Sequence, residues 1–301
     1  MTAAASERSQ RRPVDGAALQ HQLRRLNRAP QAPWLHGEVA RRMAERLPAI
    51  RLQPQRVLDW GAFLGGGAAM LREQYPTAEL WAVEDDTLRA PDPAPPWWRP
   101  ARWGLRTPRR VRADGLEAGG AQLLWSNMGL HFEADPQALF TRWQRATAVG
   151  GFLMFSTLGP GTLTTLAALY RVAGWPVPLA PFVDMHDLGD MLVHAGFAEP
   201  VMDQETITLT WPDAAACLAE LRSLGGNAAP GRHPGLRTPR WRQRLEAALA
   251  EHAGAGGRIA LGFEIVYGHA FRAAPRARVA EETRVPLADL RAMVRGGGTR
   301  R

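Results

Sequence analysis

The stretch RVLDWGAFLGGGAAML, residues 56–71, sets a carboxylate, a turn glycine and a run of glycines in the order a ligand-binding loop needs. Val57 and Leu58 read as a short buried strand, with Asp59 at its end. Gly61 follows where the chain must turn sharply, and a glycine there removes the side chain that would keep a ligand from the backbone. A second strand, AELWAVE at 78–84, closes on Glu84. A carboxylate at that place can accept hydrogen bonds from ribose hydroxyls. Its distance of 25 residues from Asp59 (84 − 59) is near the roughly 20 expected of a ribose-binding acid. The dinucleotide fingerprint G-x-G-x-x-G is absent, and so is the phosphate loop G-x-x-x-x-G-K-[ST]. A cofactor without phosphates therefore fits better, because it needs the turn but no anion cradle.

The elements that must position these groups follow from periodicity. Leu19, Leu23 and Leu26 fall on one helical face, and Val39, Met43, Leu47 and Ile50 on another. Residues 66–75 fit a helix ended by Pro76. AQLLWSN at 121–127 and FLMFSTL at 152–158 read as buried strands. Between them DPQALFTRWQRAT, 135–147, reads as an amphipathic helix with Asp135 as N-cap and Pro136 at its first position. Helices are expected at 162–174, 186–197, 212–225 and 241–253, and strands at 206–211 and 258–273. Strand alternating with helix predicts an α/β fold, a parallel sheet with covering helices. In such sheets ligands bind beyond the carboxyl ends of the strands. Asp59, Glu84, Ser126, Asn127, Ser156 and Thr157 all lie at those predicted ends.

Composition sets bounds. The chain has 301 residues, of which 46% are hydrophobic, enough for a sizeable core. Cys217 is the single cysteine, so an internal disulfide framework and a cysteine zinc site are excluded, and no metal site is expected. No run approaches the roughly 18 apolar residues of a membrane span, and the first residues lack the apolar core of a secretory signal. A cytoplasmic protein without a membrane partner is expected. The formal charge is +8, and all 37 basic residues are arginine. That balance reflects coding bias or an acidic partner, nucleic acid or carrier protein. Residues 1–16 are expected to be disordered, 85–113 a Pro/Arg/Trp-rich loop anchored by Trp97, Trp98 and Trp103, and 273–301 a basic flexible tail. His131 and His233 read as surface or turn residues.

Residues 56–65 and 78–84 resemble the first two motifs of class I S-adenosylmethionine-dependent methyltransferases. Four later segments are more specific: LLWSNMGLHF at 123–132, FSTLGPGTL at 155–163, LRSLGGNAAPGRHPGL at 221–236 and FEIVYGHAF at 263–271. They resemble successive motifs of the malonyl-acyl-carrier-protein O-methyltransferases of biotin synthesis. The likeness runs from about residue 36 to 272. It implies a Rossmann-like class I sheet with a helical cap over 17–272, the helices on the substrate side falling within 160–257. It implies methyl transfer from S-adenosylmethionine to the free carboxylate of a malonyl thioester on acyl carrier protein. Nucleic acid is not expected as a partner.

A carboxylate is already ionised at pH 7, so no general base is nominated. The resemblance assigns cofactor contacts to Asp59, Gly61, Gly65, Glu84, Ser126 and Asn127, with Asp114 toward the adenine amino group. Arg232, in GRHPG, is the expected partner of the malonyl carboxylate, because arginine can offer two parallel hydrogen bonds. Arg222, Tyr267 and His269 are further substrate-side candidates. The sequence departs from the pattern at Phe63, which replaces the middle glycine of the loop and is expected to narrow the pocket or re-route the loop through Gly65–Gly67. Two alternatives stay open: a non-catalytic descendant with a drifted cofactor site, and a methyltransferase of another substrate.

Overall fold

The computed structural model describes residues 11–84, 108–254 and 256–274. Trp97, Trp98 and Trp103, residues 1–10 and nearly all of the expected tail lie outside the described residues. Two helices, α1 (Gly16–Asn27) and α2 (Trp34–Ala44), precede β1 (Arg56–Trp60). Two short helices, α3 (Ala62–Gly65) and α4 (Ala68–Gln74), lead to β2 (Glu79–Val83); β3 (Arg109–Val111) and β4 (Ala121–Ser126) follow. Then come α5 (Pro136–Ala146), β5 (Thr147–Leu158), α6 (Thr164–Val172) and α7 (Met185–His194). The chain closes with β6 (Phe197–Trp211), α8 (Ala214–Leu224), α9 (Pro239–Glu251) and β7 (Ile259–Arg272).

The strands form one seven-stranded sheet in the order β3-β2-β1-β4-β5-β7-β6. The pairs from β3 to β5 are parallel, and β7 runs antiparallel to both neighbours. The chain winds outward from β1 to β3 and returns to β4 on the other side of β1. That reversal opens a crevice at the carboxyl ends of β1 and β4.

Side chains alternate across a strand, so neighbours enter opposite cores. Val57, Leu123 and Phe152 pack with Leu35, Val39 and Met43 of α2. Leu58, Leu124 and Leu153 pack with Phe140 and Trp143 of α5 and Leu188 of α7. Both faces are covered, which is why these strands read as continuous apolar runs. Gly268 sits opposite Phe155 in the β5–β7 ladder. A Cβ there would press on the Phe155 ring, 2.6 Å from Cζ, and on Met202 Sδ at 3.0 Å. Gly268→Ala is expected to cost roughly 2–3 kcal/mol through overpacking. Urea unfolding checks this: a midpoint within error of the parent would contradict it.

Residues 11–16, expected to be disordered, are held in place. The Arg12 N–H donates to the Ala134 carbonyl at 2.9 Å, and that of Asp15 to Ala228 at 2.8 Å. Asp15 Oδ1 caps α1, accepting from the amides of Ala17 and Ala18. The expected helix over 66–75 forms as α4, starting two residues later because Gly66 adopts φ +64°, and the short α3 before it was not expected. The expected 85–113 loop contains β3 at its end, paired with β2. The edge strand β6 begins nine residues before the expected 206 (206 − 197).

Candidate active site

Gly61 adopts the left-handed conformation, φ +69°, which a side chain would strain. Its N–H donates to the Val83 carbonyl at 2.9 Å, tying the end of β1 to the end of β2. The next turn is fastened from β2 as well: Glu84 Oε1 accepts from the Phe63 amide at 2.6 Å. The Phe63 side chain packs with Leu19, Leu26 and Leu64 beneath α1. It is absent from the lining of the crevice, so the expected narrowing does not occur. The missing middle glycine is accommodated because α1 supplies an apolar bed for the ring.

Asn127 locks the same loop from β4. Its Nδ2 donates to the carbonyls of His36 at 2.7 Å and Gly65 at 2.6 Å. Its Oδ1 accepts from Ser156 Oγ at 2.6 Å. Gly65 leaves room for this approach, since a Cβ there would already sit 3.4 Å from the Asn127 carbonyl. Asn127 lines the crevice, but its carboxamide is spent on holding the loop. Ser126 also lines it, and its Oγ has no hydrogen-bond partner among the described residues.

The result is a cavity of about 400 Å³ at the strand ends, which Gly61, Glu84, Asp114, Ser126 and Asn127 share. The structure sets these five expected residues in one lining; Gly65, also expected at the cofactor, is buried against Asn127 and lies outside it. Sequence reasoning missed Trp60, Arg142 and Trp143, and it missed that α1 covers the opening with Gln20, Leu23 and Asn27. The Arg142 guanidinium lies 5.2 Å from the Trp60 ring centre. Asp114 is fixed by Arg112, Nε to Oδ1 at 3.1 Å. That partner holds its carboxyl below the usual range.

Asp59 stands differently from the expectation. It is 0% exposed and does not line the cavity. Strand alternation turns it to the face of Val57, while Trp60 turns to the other. Both carboxylate oxygens lack a hydrogen-bond partner among the described residues. Burial first, and then the charge of Glu84, push its pKa up to about 7. The folded protein therefore holds a proton on Asp59 that the unfolded chain has released above about pH 4. Stability should fall as pH rises from about 4 to 7, by up to roughly 4 kcal/mol from this group, and then level off. Asp59→Asn should flatten that dependence. Urea titrations at pH 5 and pH 8 test it, and an unchanged pH dependence would contradict it.

A second cavity of about 320 Å³ adjoins the first, with Phe132 in the lining of both. Its wall is largely apolar, from Leu158, Leu163, Leu166 and Phe263, with Arg12, Gln22 and Arg222 as polar members. Arg222 makes no hydrogen bond or ion pair among the described residues, and its charge acts on Arg25 nearby. Arg232 is placed elsewhere. It donates to Asp15 Oδ2 at 2.6 Å and to the Ala229 carbonyl at 3.0 Å, and it lines neither cavity. The expected carboxylate binder is a strut between the N-terminal segment and the 225–232 loop. Tyr267 and His269 line a separate cavity on the Met154 side of the sheet, and the Tyr267 hydroxyl donates to Glu205 at 2.7 Å. His131 is buried, not at the surface, and burial holds it neutral, as it does His36. Nothing in its spacing distinguishes it from a turn histidine.

No group of three or more metal-ligating side chains occurs among the described residues. No helix among them is long and apolar enough to cross a membrane.

No protein-family model matches the chain. Individual relatives do. The malonyl-[acyl-carrier protein] O-methyltransferase of Laribacter hongkongensis is 41% identical over 256 residues, covering 82% of this chain and 86% of its own. That of Gallionella capsiferriformans is 39% identical over 249 residues, covering 80% and 85%. Among solved structures, the YcgJ protein of Bacillus subtilis aligns over 79% of this chain and 99% of its own, with a TM-score of 0.50 at 12% identity, a likeness of fold alone. The relatives align over about 85% of their length, and the α/β sheet with a crevice at its strand ends is the kind the sequence led one to expect. The chain belongs to the malonyl-[acyl-carrier protein] O-methyltransferase family.

Proposed function

We propose that the chain transfers a methyl group from S-adenosylmethionine to the free carboxylate of a malonyl group carried as a thioester on acyl carrier protein, an early step of biotin synthesis. The observation that carries this reading is the pair of adjoining cavities, one at the strand ends with Glu84 and Asp114 in its lining and one walled largely by apolar side chains, with Phe132 common to both. The residues fit the cofactor. Glu84 offers a carboxylate to ribose hydroxyls, Asp114 can meet an amino group of adenine, and Ser126 offers an unspent hydroxyl. The turn at Gly61 admits a ligand close to the backbone. When bound, the cofactor supplies an electrophilic methyl group on a sulfonium.

The protein's own part is to orient and to exclude water. The carboxylate is ionised at neutral pH, so no side chain needs to take a proton from it. Helix α1 lies over both cavities, with Gln20 and Leu23 toward the first and Leu19 and Gln22 toward the second. It shields the junction from solvent. Arg222 at the second cavity, with Arg25 close by, gives that side a positive rim that suits an acidic carrier.

The test is release of S-adenosylhomocysteine on mixing the protein with S-adenosylmethionine and malonyl-carrier protein. Turnover is expected with malonyl-carrier and not with acetyl-carrier, which lacks the acceptor oxygen. Equal rates with both, or none with either, would contradict the reading.

A further inference from the structure

The proposed reaction leaves one requirement unassigned, a cation to receive the malonyl carboxylate. The acceptor oxygen must come to the junction of the two cavities, at Phe132. Arg232 is spent on Asp15, away from both linings. Among the residues lining the second cavity, Arg12 and Arg222 carry fixed positive charge. They are differently placed. Arg222 sits on α8, whereas Arg12 clasps the main chain on either side of Phe132. Its Nη1 donates to the His131 carbonyl at 2.6 Å and to the Glu133 carbonyl at 3.0 Å. Its Nε and Nη2 donate to the Pro181 carbonyl at 3.2 and 2.9 Å.

These contacts fix the guanidinium but leave its charge uncompensated. Every acceptor is a neutral carbonyl, and no carboxylate forms an ion pair with Arg12 among the described residues; Glu133 acts on it only through its field. The four donated bonds also leave one Nη2–H of the five guanidinium donors unspent. A half-buried cation satisfied only by carbonyls still carries a desolvation cost that an arriving anion would offset. Burial indeed pulls its pKa down to about 10. Gln22, buried in the same lining, adds an amide.

We infer that Arg12 is the substrate-binding cation of the acceptor cavity, holding the malonyl carboxylate at Phe132 through its charge and its remaining Nη2–H. The inference rests on the reading of the chain as a malonyl-carrier methyltransferase. It also gives the N-terminal segment a chemical role, because the residue that anchors the segment also selects the substrate. A neutral methyl ester loses the attraction, so the product should bind more weakly than the substrate.

The experiment uses the full chain saturated with S-adenosylhomocysteine, so that no turnover occurs. Malonyl-carrier protein and its monomethyl ester are titrated in turn. The parent protein should prefer the charged form by roughly tenfold to a hundredfold, the range of a hydrogen bond to a charged group. Arg12→Gln should abolish that preference, and Arg12→Lys, which keeps the charge, should retain part of it. Affinity for S-adenosylhomocysteine, measured alongside, should stay within about twofold. A merely structural role would weaken the charged and neutral forms equally, and that result would overturn the inference. A parent protein that turns over malonyl-carrier while showing no preference for its charged form would also overturn it, leaving the function intact. A parent protein with no turnover and no carrier binding would defeat the function, and the inference with it.

Discussion

Replacing Glu84 by alanine is expected to weaken binding of S-adenosylhomocysteine by roughly a hundredfold. The carboxylate stands at the end of β2 in the lining of the strand-end cavity. Ribose hydroxyls donating to it would form charge-assisted hydrogen bonds of about 1.5–3 kcal/mol each. Losing about 3 kcal/mol in total corresponds to about a hundredfold in affinity. The same carboxylate accepts from the Phe63 amide, so alanine also frees the α3 turn. Glu84→Gln separates the two effects. It keeps an oxygen for the Phe63 amide and removes the charge, and should cost about tenfold. Calorimetric titration reads both variants. Unchanged affinity in Glu84→Ala would remove this carboxylate from the cofactor site.

The largest loss of stability is expected at Asn127. Its carboxamide makes three buried hydrogen bonds, to His36, Gly65 and Ser156, joining α2, the glycine loop and β5 at one point. Asn127→Ala leaves two carbonyls and a hydroxyl to find other partners. Each buried polar group left unsatisfied costs about 1–3 kcal/mol. Ser156 Oγ keeps one partner, accepting from the Met128 amide at 3.0 Å. A net loss of roughly 3–5 kcal/mol is expected. Asn127→Asp should fare no better, because it sets an acceptor against two carbonyls. Urea unfolding of the unliganded protein checks this. A loss below about 1 kcal/mol would mean that the loop is held by other contacts.

Much of the sheet was legible because its physics is local. Strands buried on both faces have to carry continuous apolar runs, and LLW at 123–125 and FLMF at 152–155 do. The α5 start was legible for the same reason: Asp135 accepts from the Ala138 amide, with Pro136 in the first turn. The first half of β6 was not. It lies at the sheet edge, where Glu199 has φ +52° and the register shifts between Ala198 and Val201. An edge tolerates Pro200 and polar residues at a bulge, so the strand signal is lost.

The cofactor side of the site was read from strand ends, and topology carries strand ends to one place. The substrate side depended on contacts between distant segments. Arg232 meets Asp15 across 217 positions, and Arg12 meets the chain around Phe132 across about 120. No periodicity encodes either pairing. Tyr267 and His269 carried suitable chemistry, but they pair with Ser156 and Met154, further along β7 from the strand-end cavities than Phe263, which shares their face and lines the second cavity. Phe63 was read as an obstruction because its neighbour in space, α1, precedes it by some 40 residues of sequence.

The most direct test of the central claim is the mass of the carrier protein after reaction with methyl-labelled S-adenosylmethionine. Incubation should add one labelled methyl group to malonyl-carrier protein and none to acetyl-carrier protein. An esterase should then remove the label and regenerate the malonyl form, locating the methyl on the free carboxylate. Label that resists the esterase, or equal labelling of acetyl-carrier, would put the methyl elsewhere. Absence of label, in a protein that still binds S-adenosylhomocysteine, would contradict the substrate while leaving the cofactor site standing.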